Sequence, residues 1–163
     1  MNMQLFAQRL RQHHAIEHAT VTLLSQRQPG IPIVAHSDLA GFVLYGHTDA
    51  ATLQATVAEA LARLQGGETG LAIHPNCGTN LATAGVLCGA AALLASHDAR
   101  RSFWWERLPS AITAALLALF VAAPLGRWLQ ENVTTSSEVS DRHLAAVERL
   151  DSGLATAYRV RIT

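Results

Sequence analysis

The sequence predicts an α+β fold: a small sheet-plus-helix domain built from both chain ends, with a two-helix transmembrane hairpin inserted. Three observations predict it. Apolar residues recur at three- and four-residue spacing near the N-terminus, as on one face of a helix. The final "ATAYRVRIT" alternates, with Tyr158, Val160 and Ile162 facing one way and Arg159 and Arg161 the other. Between them lie two long runs without Asp, Glu, Lys or Arg. The reading divides the chain into residues 1–78, the first part of the α+β domain; 79–128, the hairpin; and 129–163, a linker, helix and strand that complete the domain.

Residues 3 to 26 are expected to form a helix, with Leu10, His14, Glu17, His18, Val21 and Leu24 in one line. "QPGIP" ends it, because Pro and Gly cannot continue a helix cheaply. "GFVLYGH" is β-branched and aromatic and reads as a strand at 42–47. A second helix runs from Asp49 to Gln65 on a stripe of Leu53, Val57, Leu61 and Leu64. Thr48 or Asp49 caps it and Gly66-Gly67 stop it. "GLAIHP" reads as a short strand near 71–74 running into a turn at Pro75.

From Thr69 to Ser96 no residue is charged, and "LATAGVLCGAAALLAS" is followed by a second run, "LPSAITAALLALFVAAPLG", at 108–126. Each approaches the roughly 17 to 25 apolar residues that span a bilayer. The connector "HDARRSFWWER" carries Trp104, Trp105, Arg100, Arg101 and Arg107, residues suited to a membrane interface. Gly85 and Gly89 form a G-x-x-x-G that lets a neighbouring helix approach closely. The competing reading is a buried, soluble helical hairpin. Beyond the polar "ENVTTSSEVS", Ser140 is placed to cap a helix from Asp141 to about Leu150, with Val139 and Leu144 as a hydrophobic staple and Gly153 as its end. The last strand, 156–162, joins those near 42–47 and 71–74 in one sheet.

Composition excludes one partner class. Among 163 residues, Lys plus Arg and Asp plus Glu both total 12, and there is no lysine. Nucleic-acid binding needs a basic patch for phosphates, and none is present beyond the three connector arginines. Two cysteines, Cys77 and Cys88, make no disulfide framework. "MNMQLFAQRLRQHH" lacks the apolar core of a secretory signal, so residue 1 is expected to begin the mature protein.

The chemistry is concentrated in "HHAIEHAT", residues 13 to 20. His14 and His18 are one helical turn apart and present two imidazoles to one point, about 6 Å apart in rise. That suits Zn²⁺ or a similar divalent ion. Glu17 lies beside His18, where a carboxylate could take a proton from an activated water, giving the H-x-x-E-H order of inverted zincins. His13 points about 100° away and reads as a surface or capping residue. The turn "HPNCGT" supplies His74 and Cys77, with Thr79 or Asn80 as cap of the following helix. Three protein ligands plus water make a catalytic zinc site and four a structural one. His14, His18, His74 and Cys77 are the metal candidates and Glu17 the catalytic one; whether His74, Cys77 or both bind stays open. His36, Asp38 and His47 read as exposed loop residues, His97 and His143 as solvent-facing or interfacial, and Tyr45 and Tyr158 as packing residues.

"HHAIEHAT" followed by "HPNCGTN" and an apolar helix resembles a bacterial family of uncharacterised membrane proteins, a domain of unknown function. It is also similar to a larger, multi-span relative with paired H-x-x-E-H and H-P-x-C-G-T motifs, regarded as a metal-dependent membrane enzyme. The resemblance covers roughly residues 9 to 96 and implicates His14, Glu17, His18, His74 and Cys77. This chain has two expected spans where the larger relative has more, and the resemblance brings no substrate.

The resulting expectation is a membrane-anchored, zinc-dependent hydrolase, a metallopeptidase being one form, acting on a peptide or small molecule. The alternatives are a non-enzymatic membrane module with a structural metal, and a metal-free His/Glu hydrogen-bond network. The expected partner is the lipid bilayer, with helix–helix association through Gly85 and Gly89. Three connector arginines favour a cytoplasmic connector by the positive-inside rule. A thiol-bearing site on a chain without a signal peptide favours the opposite. The second argument is followed here, placing the protein in the cell membrane with its α+β domain facing the cytoplasm.

Overall fold

Helix α1, Met3–Arg27, carries the predicted N-terminal helix. Its middle is buried nearly all round, from Gln12 to Leu24, although only part of that surface is apolar. Leu10, expected on the inward stripe, is exposed. The computed structural model describes residues 3–97, 103–150 and 156–163. Within these the chain forms two units: Met1–His74 with Glu131–Thr163, and Pro75–Gln130.

The first unit is an antiparallel sheet under two helices. Strands β1 (Val34–Asp38) and β2 (Gly41–Tyr45) form a hairpin, followed by helix α2 (Ala50–Gln65). Strands β3 (Leu144–Leu150) and β4 (Ala157–Ile162) come from the C-terminal stretch, and the sheet order is β1-β2-β4-β3. Phe42, Leu44, Tyr158, Val160 and Ile162 bury one sheet face against Ile16 and Leu24 of α1 and Leu53, Val57 and Leu61 of α2. The alternation expected in β4 is present, since Tyr158, Val160 and Ile162 are buried and Arg161 is exposed. Asp49 caps α2 by accepting from the Thr52 N–H at 2.9 Å, and Gly66 closes it.

Three local expectations are corrected. Residues 141–150 do not form a helix; Leu144–Leu150 is strand β3. "LAAVERL" has good helix formers, but β4 offers a ladder along its whole length, and Leu144 and Val147 pack on the core. Tertiary pairing overrides weak propensity here. Val139 is a buried core residue beyond any helix, and Gly153 lies outside the described residues. Residues 71–74 are not a strand: Thr69–Ala72 is a 3-10 turn, in which Leu71 N–H donates to Glu68 and Ile73 N–H to Gly70. The sheet takes β1 instead, an edge strand whose "VAHSD" gives little sequence signal. The β1–β2 turn uses Asp38, whose side chain accepts from the Ala40 N–H at 2.8 Å.

The second unit consists mainly of helices α3 (Gly78–Ser96) and α4 (Leu108–Leu129). Both are long and apolar enough to cross a membrane, and only 6% of each apolar window is buried. A core helix of a soluble domain hides its apolar surface, whereas these two leave most of theirs exposed. The helices pack together: Cys88 Sγ donates to the Ala115 carbonyl at 3.3 Å and Ser110 Oγ to that of Ala95 at 3.3 Å. The expected close approach at Gly85 and Gly89 is not used within the hairpin, since a Cβ at either would meet nothing within 4 Å. Gly126 makes the tight contact: a Cβ there would stand 2.5 Å from Asn80 Oδ1 and 3.2 Å from its Cα. Asn80 is held in place by Gln130 Nε2, 2.7 Å from its Oδ1, and by its own bond to the Pro75 carbonyl at 2.8 Å.

Gly126→Ala should therefore destabilise the hairpin by about 1–3 kcal/mol, the usual scale of overpacking. Gly85→Ala and Gly89→Ala should leave thermal unfolding in detergent unchanged or slightly raised. Equal losses in all three variants would contradict this assignment of the contact.

Candidate metal centre

The site is built on the polar stretch of α1. His14 and His18 sit one turn apart, with ring centroids 4.2 Å from each other. Each offers a ring nitrogen to a shared point, the two within 4.8 Å. Both rings are oriented by main-chain carbonyls: His14 Nδ1 is 2.9 Å from the Thr134 oxygen and His18 Nδ1 is 2.7 Å from that of Ala72. A carbonyl only accepts, so Nδ1 must carry the hydrogen. In the neutral ring this leaves the lone pair on Nε2, the tautomer in which metal-binding histidines are commonly held. His74 stands next to His18, with ring centroids 5.9 Å apart.

Glu17 is buried, and Ser37 Oγ of β1 donates to its Oε2. One of its carboxylate oxygens is therefore engaged by the sheet. Cys77, in the second unit, is the N-cap of α3, its Sγ accepting from the Thr79 N–H at 3.4 Å. This corrects the expectation that Thr79 or Asn80 caps the helix. Cys77 and Cys88 form no disulfide.

His13 is the main surprise. Expected at the surface, it is fully buried, its Nδ1 2.7 Å from the Asp38 carbonyl. Burial pushes its pKa below the ordinary histidine value, against the raising effect of that bond. The reason it was misplaced is that α1 is covered on more than one face. Asp38 and His36 lie in β1 and not in a loop; His36 is exposed and stacks on Tyr45 at 6.0 Å. His47, His97 and His143 are exposed. Sequence reasoning missed Ser37 and the carbonyls of Ala72 and Thr134. No side-chain pattern marks a backbone acceptor.

A family model for a domain of unknown function, DUF6391, matches residues 9–147. The chain belongs to the DUF6391 family. The matched stretch includes His14, Glu17, His18, His74 and Cys77. A DUF6391 chain can thus be compared with an uncharacterised protein from Picosynechococcus sp. strain PCC 7002, 38% identical over 141 residues. The alignment covers 78% of this chain and 66% of that relative, so the chain spans just under two thirds of the relative's length. No solved structure matches.

Asp38 joins the site's supports to the sheet. Burial opposes its ionised form, but the Arg159 guanidinium and the Ala40 N–H outweigh burial and hold its carboxyl below the ordinary aspartate value. A carboxyl depressed in the folded state stabilises it above the unfolded pKa, near 4. That contribution is lost as pH falls through the lower folded value. Asp38→Asn should flatten the acid limb of stability against pH, read as urea midpoints between about pH 6 and pH 3. An unchanged slope would show that the Arg159 pair contributes nothing.

Proposed function

We propose that this DUF6391 protein is a membrane-anchored, metal-dependent hydrolase, with His14 and His18 as metal ligands and Glu17 as general base. The observation that carries the reading is the pair of Nδ1–carbonyl bonds, which turns both Nε2 lone pairs into donors on one helix face. Two nitrogens bound to a tetrahedral Zn²⁺ at about 2.0–2.1 Å stand roughly 3.4 Å apart, and ring nitrogens of His14 and His18 lie within 4.8 Å of each other. His74, beside His18, and Cys77, three residues further along the chain, are the remaining ligand candidates. An anionic sulfur at Cys77 would be favoured by the N-terminus of α3.

A divalent ion held there would supply a water acidified toward neutral pH. Glu17 would take that water's proton as its oxygen attacks a carbonyl carbon, then pass it to the leaving group. Ser37, donating to one carboxylate oxygen, positions the base. A metallopeptidase is one form of this chemistry. The exposed apolar surface of α3 and α4, Phe120 and Leu94 among it, supports insertion in the cell membrane. A thiol ligand favours a reducing compartment, and with it a cytoplasmic α+β domain. Gly85 and Gly89, with open space over both, would serve packing against a helix of another chain.

A second reading rests on the same bonds. His13, His14 and His18 each reach a carbonyl from a different segment, and Glu17 reaches Ser37, so the cluster also works as a structural network, with or without a metal.

The purified protein should need detergent or lipid, and should carry about one Zn²⁺ or similar ion per chain by elemental analysis. His18→Ala should lose the ion and melt at lower temperature, because binding free energy is folding free energy. Glu17→Gln should keep both metal and melting temperature yet lose turnover by about 100-fold or more. Metal loss in Glu17→Gln as complete as in His18→Ala would make Glu17 a ligand. Full biological activity with metal retained would favour the structural network.

A further inference from the structure

The sheet has an edge beside the histidine helix. β1 stands at the end of the order β1-β2-β4-β3, and its Ser37 donates to Glu17 of α1. These residues all belong to the first unit. Which backbone groups of β1 face outward follows from the far side of β2. Ile162 N–H donates to the Ala40 carbonyl at 3.0 Å and Gly46 N–H to that of Thr156 at 3.1 Å. Both bonds continue the β2–β4 ladder, and bonding alternates along an antiparallel strand. The even-numbered residues of β2 therefore bond toward β4. Gly41, Val43 and Tyr45 bond toward β1, where they face Asp38, His36 and Val34. Ala35 and Ser37, the residues between, turn their N–H and C=O groups away from the sheet.

The two edges of the sheet differ. In β3 the register is broken between Leu144 and Ala146, and Glu148 and Arg149 lie along the strand. Bulges and charges of this kind keep a further strand from adding. β1 pairs without a shift over all five residues and contains neither proline nor lysine. Its Ala35 and Ser37 are only half-buried.

We infer that β1 captures the substrate as an added strand, and that this substrate is an extended, unfolded peptide segment. This rests on the hydrolase reading above. Two residues of β1 offer an N–H and a C=O each, about 7 Å apart along the strand, and another extended backbone presents the matching groups at the same repeat. A folded helix or sheet has already paired its own backbone groups, and a simple ester has no N–H to offer. The added strand lies about 4.8 Å from β1. Ser37 then holds the peptide through its backbone and the proposed base through its side chain, which brings the bound backbone beside Glu17. Water adds across the amide. Its oxygen bonds to the carbonyl carbon, the carbon–nitrogen bond breaks, and the proton accepted by Glu17 goes to the leaving nitrogen, giving a carboxylate and an amine.

The test uses the full, zinc-loaded chain in detergent. The probes are fluorescein-labelled casein, an unfolded protein, and p-nitrophenyl acetate, a small ester. Cleavage of casein, lowered about 100-fold or more in Glu17→Gln, is the expected result. Cleavage of the ester alone, sensitive to Glu17→Gln, overturns strand capture and leaves the hydrolase reading standing. No cleavage of either by the metal-bearing protein overturns both. Pairing is read on a peptide of about ten residues spanning a casein cleavage site, its amides outside the scissile bond N-methylated one at a time. Only every other residue of the guest faces β1, so kcat/KM should fall about tenfold at alternate positions and little between them. Losses without that alternation overturn pairing on β1. Ala35→Pro removes an outward N–H and should lower casein cleavage about tenfold with zinc content unchanged. Full cleavage by that variant, or a dimer of the parent chain that the variant dissociates, also overturns the proposal, the dimer by placing a second copy on the edge.

Discussion

Side chains of one short stretch of α1 hold the backbone of three distant segments, and the first unit depends on those bonds. Arg11 donates to the carbonyls of Asn132 and Thr135, Gln12 to Glu138, His13 to Asp38, His14 to Thr134 and His18 to Ala72. The acceptors lie in the last helical turn, Gln130–Thr134, in the segment that follows it, and at the ends of β1 and of the 3-10 turn, where main-chain oxygens lack a continuing ladder. A hydrogen bond formed in place of one to water contributes about 0.5–1.5 kcal/mol net, but a buried group left without a partner costs about 1–3 kcal/mol. The polar residues of α1 are thus buried because the surrounding backbone requires them. An apolar helix of the same shape would leave those carbonyls unmatched.

The same requirement prepares the chemistry. A histidine that satisfies a carbonyl through Nδ1 has its tautomer chosen and its ring fixed, so the opposite nitrogen is aimed without further rearrangement. His14 and His18 are both in this state, and from adjacent turns. His13 is fixed by an identical bond but faces another side, which separates a structural histidine from its neighbours with the same local sequence. Glu17 is steadied by Ser37 of β1.

Legibility followed periodicity. α1, α2, the two apolar helices and β4 have repeats of 3.6 or 2 that survive folding, and the α+β class with an inserted apolar pair was readable from them. The histidine pair was legible because a one-turn spacing is a property of the helix alone. What failed depended on distant partners. "LAAVERL" becomes a strand because β4 lies beside it, "GLAI" turns because its carbonyl goes to His18, and His13 is buried because more than one face of α1 is covered. Gly85 and Gly89 matched a known packing motif, while the close contact falls at Gly126, opposite an asparagine that no small-residue pattern marks.

The sheet order has a consequence for how the chain comes to be folded. β2 pairs with β4, so Tyr45 waits for Ala157. At synthesis rates of about 5–20 residues per second, the gap between them takes on the order of ten seconds to emerge. Throughout that interval the β1–β2 hairpin exposes an unpaired edge, and α1 lacks the carbonyls of Asn132, Thr134, Thr135 and Glu138. Both apolar helices are made before either deficit is filled. The order of events is therefore imposed: the apolar helices are complete before the unit that carries the histidines can close. Long-range pairing of this kind folds slowly even when the product is stable. A nascent chain stalled before β4 would present its hydrophobic sheet face and its open edge together, the combination that most invites chaperone capture or aggregation.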